Sequence, residues 1–420
     1  MDKLAINGGT PVRTAPFPTN ALGAAMIDQA ELKELTDVVF EQSPFRFYGL
    51  GNPTKAAKLE ELLRDFYGRK FALAVSSGSA ALACAMAALG LGPGDEVILS
   101  AFTWYSDYMA LVNLGILPVF ADIDETLAID PADFEKKITP NTKAVIVVNF
   151  QGGAANMDEI CRIAKAHDIK IIEDSAQAMG CCYHDKKIGT FGDITILSFQ
   201  AHKVLTAGEG GAIITDNETY FARAVRYHDL GSVRPFFAAQ IEDKSLLEED
   251  MSFAGLQFRM SELQAAFLVA QFGKIDTILS TCRKYQAKML DAFKNFTKFR
   301  IRYTEGDCGF ATFLFFDTVE AAQTFKTALQ AEGISVGAAS ACANLVHRVP
   351  IKTRKMAHPA MGPFGAGCHG ENAVYNAEDL AKTDDVLGRC IALTVGPKFA
   401  DSDVDDIITA VEKVYNGLYA

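Results

Sequence analysis

Residues 198–211 read Ser198-Phe199-Gln200-Ala201-His202-Lys203-Val204-Leu205-Thr206-Ala207-Gly208-Glu209-Gly210-Gly211. One lysine stands in this stretch, behind an apolar run at residues 194–197 and ahead of a Gly-Glu-Gly-Gly turn. A lysine at a strand end, beside a serine, forms a Schiff base with an aldehyde cofactor once partial burial or a cationic ring lowers its pKa. The runs at 194–197 and 212–214 read as strands separated only by this segment. No crossover helix fits between them, so the pair is predicted to be antiparallel.

Upstream, short apolar runs recur at residues 72–75, 97–99, 118–120, 144–148 and 170–172. Most lack polar alternation, which suits strands buried on both faces. Helical patterns lie between them. Asn156-Met157-Asp158-Glu159 reads as a helix start, with Met157, Ile160, Ile163 and Ala164 on one side. The alternation predicts an α/β fold: a mixed, mostly parallel seven-stranded sheet flanked by helices. No Gly-x-Gly-x-x-Gly fingerprint follows the first strand. After Arg259 a long helical pattern runs toward Leu290 as a connector. Beyond it the texture is that of a smaller α+β unit. Its expected elements are a strand at 309–316, a helix at 321–332 stopped by Gly333, a strand at 391–395, and a last helix at 402–418 capped by Ser402. The division is set at residues 1–285, the large domain with its N-terminal segment, and 286–420, the small C-terminal domain. Residues 343–382 are irregular and rich in Gly, Pro and His, a length of loop that points to function.

A chain of 420 residues, 49% hydrophobic, buries a core without disulfides or metals. Its net charge of −12 argues against a nucleic-acid partner. The nine cysteines follow no framework spacing, which suits reduced thiols in a cytoplasm. The adjacent pair Cys368-His369 lacks further ligands nearby, so no metal is expected. The opening Met1-Asp2-Lys3-Leu4-Ala5-Ile6-Asn7-Gly8-Gly9 has no apolar signal region, and the longest apolar run, residues 80–89, is too short to span a bilayer.

Three further motifs stand at predicted strand ends. Ser76-Ser77-Gly78-Ser79 opens an alanine-rich helix, where free N–H groups and serine hydroxyls suit an anion. Glu173-Asp174-Ser175-Ala176-Gln177 offers a carboxylate to a protonated pyridine nitrogen and an amide to a neighbouring ring oxygen. Trp104, the one tryptophan, offers a face to a flat heterocycle. With Lys203 these supply an anion site, a stacking face, a pyridinium partner and an imine-forming amine, the set that pyridoxal 5'-phosphate requires.

In chain order, Ser-Gly-Ser-Ala-Ala, Glu-Asp-Ser-Ala-Gln, the lysine segment and Phe258-Arg259-Met260-Ser261-Glu262-Leu263-Gln264-Ala265-Ala266 resemble the DegT/DnrJ/StrS sugar aminotransferases, which are fold-type I, pyridoxal phosphate-dependent enzymes. The opening Ile6-Asn7-Gly8-Gly9-Thr10-Pro11 is similar to some members. The resemblance implies that Lys203 forms the Schiff base and then shuttles the proton, that Asp174 pairs with the pyridine nitrogen, and that Gln177 contacts the ring hydroxyl. It implies that Trp104 stacks on the ring while Ser198, Gly78 and Ser79 hold the phosphate. It also implies a homodimer in which a partner residue reaches the phosphate. Many members have asparagine where Gln257 stands, so Gln257 and Arg259 are both candidates for that contact. Relatives that remove a hydroxyl carry histidine in place of the lysine. Here His202 is only its neighbour, and transamination is expected over dehydration.

The implied reaction moves an amino group from glutamate or glutamine to a keto or aldehyde sugar, nucleotide-linked or a related polyol, in amino-sugar biosynthesis. Phe45-Arg46-Phe47-Tyr48, Gly152-Gly153 and residues 255–259 are also similar to the branch that aminates position 8 of an octulosonic acid, and an aminocyclitol is a third acceptor. A dehydratase or a non-catalytic regulator on the same fold is the remaining alternative. Residues 231–254 and 343–382 are expected on the substrate side, with His347, Arg348 and Lys352 available to an anionic group.

Overall fold

All seven expected strands of the large sheet form: β1 (Phe71–Val75), β2 (Glu96–Ser100), β3 (Leu117–Ala121), β4 (Thr142–Val148), β5 (Lys170–Asp174), β6 (Ile194–Ser198) and β7 (Gly211–Thr215). This is a computed structural model, and it describes residues 3–302, 305–337 and 343–419. Met1, Asp2 and one cysteine, Cys342, lie outside the described residues. The strand order is β1-β7-β6-β5-β4-β2-β3. β7 runs antiparallel to both neighbours, with Ile213 opposite Leu73 and Ile196, and the other pairings are parallel. The antiparallel β6–β7 pair follows from the short lysine segment between them. Alternate residues of β1 enter opposite cores, Ala72 and Ala74 on one side and Leu73 and Val75 on the other.

The helices that set the site are positioned by identifiable contacts. α1 (Gln29–Phe40) starts with a capping box of Asp28 and Glu31. The first N–H groups of α2 (Lys55–Tyr67) donate to the Glu262 carboxylate, at 2.6 Å from Lys55 and 3.1 Å from Ala56. α3 (Gly78–Leu89) is the alanine-rich run, capped by Ser77 and largely buried. α4 (Ser106–Asn113) follows β2. β1 is an edge strand, and the buried Glu60 accepts from Ala74 N at 2.8 Å while pairing with Arg46 at 2.6 Å. Burial pushes the Glu60 carboxyl up, against the pull of Arg46.

The expected connector is two helices, Glu262–Phe272 and Ile275–Phe293. The break at Gly273-Lys274 lets the Lys274 ammonium reach Glu31 at 2.7 Å. The second helix runs across the 285/286 division into the small unit. There β8 (Arg300–Ile301), β9 (Ala311–Phe315), β10 (Val336–Gly337) and β11 (Cys390–Thr394) form an antiparallel sheet in the order β8-β9-β11-β10. The helices Val319–Ala331 and Asp401–Tyr419 pack on it through Phe325, Val404, Ile407 and Val411. Ser402 is not the cap of the last helix. It lies inside the first turn, and the Asp403 carboxylate accepts from Ala400 N at 2.8 Å instead. The N-terminal segment also joins this unit: Leu4 enters its core, and Arg13 pairs with Asp403 at 2.9 Å and Asp406 at 2.8 Å. Residues 343–382 form a series of short helical turns. Tyr375 donates to Pro118 O at 2.8 Å, so the segment covers the β3 edge of the large sheet.

Candidate active site

The parallel strands end together on one side of the sheet, where α/β folds place their ligands. Asp174 is the last residue of β5 and Ser198 the last of β6. Strand alternation turns Glu173 and Asp174 to opposite faces. Glu173 anchors a loop, accepting from Phe191 N at 3.0 Å and Gly192 N at 2.9 Å. Asp174 is buried, accepts from Ala176 N at 2.8 Å, and faces Asp107 and Lys203. Burial raises its pKa, while the Ala176 N–H and the Lys203 charge oppose the rise. Asp107, in the first turn of α4, is fully buried, and its pKa is driven up by burial and then by Asp174. One Asp107 oxygen accepts from Thr103 Oγ1 at 2.6 Å, and the other, Oδ1, is buried without a hydrogen-bond donor.

The anion motif closes against the lysine segment. A Cβ on Gly78 would lie 2.8 Å from Ser198 Cβ and 3.1 Å from its Oγ, so glycine is what lets this helix start meet Ser198. Ser79 beside it is exposed. The Ser77 hydroxyl is committed to its own helix, accepting from Ala80 N at 3.1 Å. Ser76 N donates to Phe258 O at 2.8 Å, and Val75 bridges Arg259, which brings residues 257–259 alongside this turn. Gln257 is exposed, whereas the Arg259 guanidinium pairs with the buried Asp229, which also holds Arg234 at 2.7 Å.

A cleft of about 230 Å³ opens beside Lys203, lined also by Gln177, His202, Asn20, Gln151 and Thr394. The N-terminal segment forms one wall: Gly23 N donates to Lys203 O at 3.3 Å, and Asn20 Nδ2 donates to Thr394 Oγ1 at 2.9 Å. Gln151 has a left-handed backbone, φ 42° and ψ 57°, unusual for a residue with a side chain. The loop around it is fixed from both units. Gly152 N donates to Gln177 O at 2.9 Å, and the buried Arg302 donates to Phe150 O at 2.9 Å and Gln151 O at 3.0 Å. Gly153 leaves room for that guanidinium, since a Cβ there would lie 2.8 Å from Arg302 Cζ.

The cleft thus brings Lys203 and Gln177 together and sets Asp174 behind them. Trp104 is not on its wall. It stands after β2, 46% exposed, with its ring 4.4 Å from that of Tyr105. Neither residues 231–254 nor 343–382 contribute to the cleft. His347 pairs with Asp384 at 2.8 Å, the Arg348 guanidinium lies 4.7 Å over the Tyr105 ring, and Lys352 ends a short turn, Val349–Lys352. His369 bonds Glu96 at 2.8 Å rather than sharing an ion with Cys368, and no cluster of metal-binding side chains occurs among the described residues. Sequence reasoning does not single out Asp107, Asn20, Gln151 or Thr394. Gln151 had a usable signal, the two glycines that follow it, and Asp107 had none beyond an acid in a first helical turn.

An amine beside a buried carboxyl group and a glycine-serine helix start suit imine chemistry on a phosphorylated cofactor. Residues 47–412 match the DegT/DnrJ/EryC1/StrS aminotransferase family, and the chain belongs to it; it is an aminotransferase on an α/β fold. It is 32% identical over 400 residues to the spore coat polysaccharide biosynthesis protein SpsC of Bacillus subtilis, an alignment spanning 93% of this chain and 96% of SpsC. It is 35% identical over 296 residues to the L-glutamine:2-deoxy-scyllo-inosose aminotransferase of Streptomyces kanamyceticus, spanning 69% of this chain and 67% of that protein. Its fold is similar to that of S. venezuelae DesV, solved with a ketimine intermediate, with a TM-score of 0.78 and 22% identity over 96% of this chain and 99% of that one. No helix among the described residues is long and apolar enough to cross a membrane.

Proposed function

We propose that the protein uses pyridoxal 5'-phosphate to move an amino group from glutamine or glutamate to the ketone of a neutral polyol ring, a sugar or a cyclitol. The observation that carries this reading is the cleft in which Lys203 and Gln177 stand among Asn20, Gln151 and Thr394. These neutral groups match the hydroxyls of a polyol, and Lys203 is the one acid or base of fixed charge among the described lining residues. The cofactor supplies an aldehyde and an electron-withdrawing ring when bound. Lys203 would hold it covalently and move the proton at the reacting carbon. Asp174 would hold the ring nitrogen, Gln177 the ring hydroxyl, and Ser198 with the Gly78-Ser79 turn the phosphate. Trp104, after β2 and off the cleft wall, would be the aromatic residue available to cover the ring. An acidic acceptor such as an octulosonic acid is disfavoured by Arg46, whose guanidinium is buried against Glu60 rather than offered to a ligand. Donor names among the relatives, L-glutamine in particular, support the choice of donor.

The site is proposed to be shared by two copies. Phe40, Tyr48, Leu50, Leu230 and Leu256 are all exposed, with Leu256 next to Gln257, and a second copy covers such side chains. Gln257 then reaches the partner's phosphate site, while Arg259 stays on Asp229.

Borohydride treatment of the loaded protein followed by peptide mass analysis tests the central assignment. Fixation of the cofactor on Lys203 is expected, and fixation elsewhere, or none, rejects it. A panel of a keto-cyclitol, a nucleotide-linked 4-ketosugar and an 8-keto octulosonic acid, each with glutamine and glutamate, then separates the acceptors.

A further inference from the structure

Asp107 in the first turn of α4 and Asp174 at the end of β5 are far apart in sequence, yet both are buried and their carboxyl groups interact. Asp174 has an N–H donor at 2.8 Å from Ala176 and faces Lys203. Asp107 has the Thr103 hydroxyl on one oxygen at 2.6 Å, and its other oxygen lacks a donor. Two buried carboxylates in contact cannot both stay ionised, because each loses its hydration and repels the other. A single proton between them removes the repulsion and gives the orphaned oxygen a function, as a donor.

We propose that Asp107 is a positioning residue that keeps its proton and donates it to Asp174, leaving Asp174 as the one anion of the pair. The Asp174 carboxylate is then held by two donors, the Asp107 carboxyl and the Ala176 N–H. The proposal deepens the reading of Asp174 as the partner of the cofactor's ring nitrogen and rests on it for its consequence, though not for the proton. The charged groups acting on Asp107 are Asp174 and Lys203, the first opposing its ionisation and the second favouring it.

The sign is fixed by linkage. A carboxyl that stays protonated in the folded chain above its unfolded pKa, about 3.9, contributes stability that is full below that pH and is lost as pH rises through the folded value. Urea unfolding of the full chain stripped of cofactor, from about pH 5 to about pH 8, therefore includes a fall in stability due to Asp107. Asp107→Asn keeps a donor toward Asp174 without a titrating proton. It is expected to remove that part of the slope while leaving the dissociation constant for pyridoxal phosphate near that of the wild type. Asp107→Ala is expected to weaken cofactor binding about tenfold, the low end of what supporting residues contribute at ligand sites. The proposal is overturned if Asp107→Asn keeps the full wild-type slope, or if it loses cofactor affinity as far as Asp107→Ala does, since a charge and not a donor would then be needed. Asp174→Asn tests the underlying reading separately: if that variant binds the cofactor as tightly as the wild type, the assignment of Asp174 falls, while a slope removed by Asp107→Asn still supports the shared proton.

Discussion

Gln151 holds a left-handed backbone that glycine adopts freely and glutamine does not, and it does so on the wall of the cleft. Arg302 and the Gly152 N–H keep it there. With the acceptor in this cleft, as proposed, a residue fixed in this way presents its amide at little cost on binding. Gln151→Ala is expected to raise the KM for the acceptor about tenfold, the effect of one lost hydrogen bond, with the cofactor dissociation constant unchanged. Steady-state kinetics with each substrate varied in turn, beside a cofactor titration, checks both halves. Lys203→Ala is expected to lower turnover by at least about 10²–10⁴-fold, the contribution of a positioned acid-base group alone, read in a single-turnover assay on the loaded protein.

At the scale of elements, the edge of β1 depends on a buried ion pair. Removing Arg46 leaves the Glu60 carboxyl buried without its counter-ion, still holding Ala74 N. Arg46→Met is expected to cost about 3–5 kcal/mol, measured by urea unfolding near neutral pH. At the start of α1, Asp28→Ala removes one half of the capping box and is expected to lower the urea midpoint of unfolding. The large sheet was legible because its strands are buried on both faces and so appear as bare apolar runs, and the antiparallel turn of β7 was legible because no helix fits beside Lys203. Ser402 was misread because serine is a common cap, whereas the acceptor came from Asp403 inside the helix. The break at Gly273 was hidden because the apolar pattern continues across it. The Asp107–Asp174 contact was not legible, since it depends on how a helix start and a strand end are placed in space and neither residue carries the other in its local pattern.

For the whole molecule, two copies are expected to close over the exposed Phe40 and Leu50. Sedimentation of the wild type is expected to give a particle of twice the 45.4 kDa chain mass. The double variant Phe40→Glu, Leu50→Glu is expected to sediment as a single chain at about micromolar concentration and to bind the cofactor more weakly, because charges cannot be buried in an apolar interface without a partner. A variant that stays double and fully active would place the interface elsewhere. The neutral wall of the cleft has a further consequence for how the enzyme comes into being. Asn20 and Thr394, which meet across that wall, are 374 positions apart. On a ribosome adding about 5–20 residues per second, the first waits about 20–75 s for the second. Asp174 and Lys203 emerge well before Thr394, so the proposed chemical groups leave the ribosome before the proposed seat for the acceptor is complete.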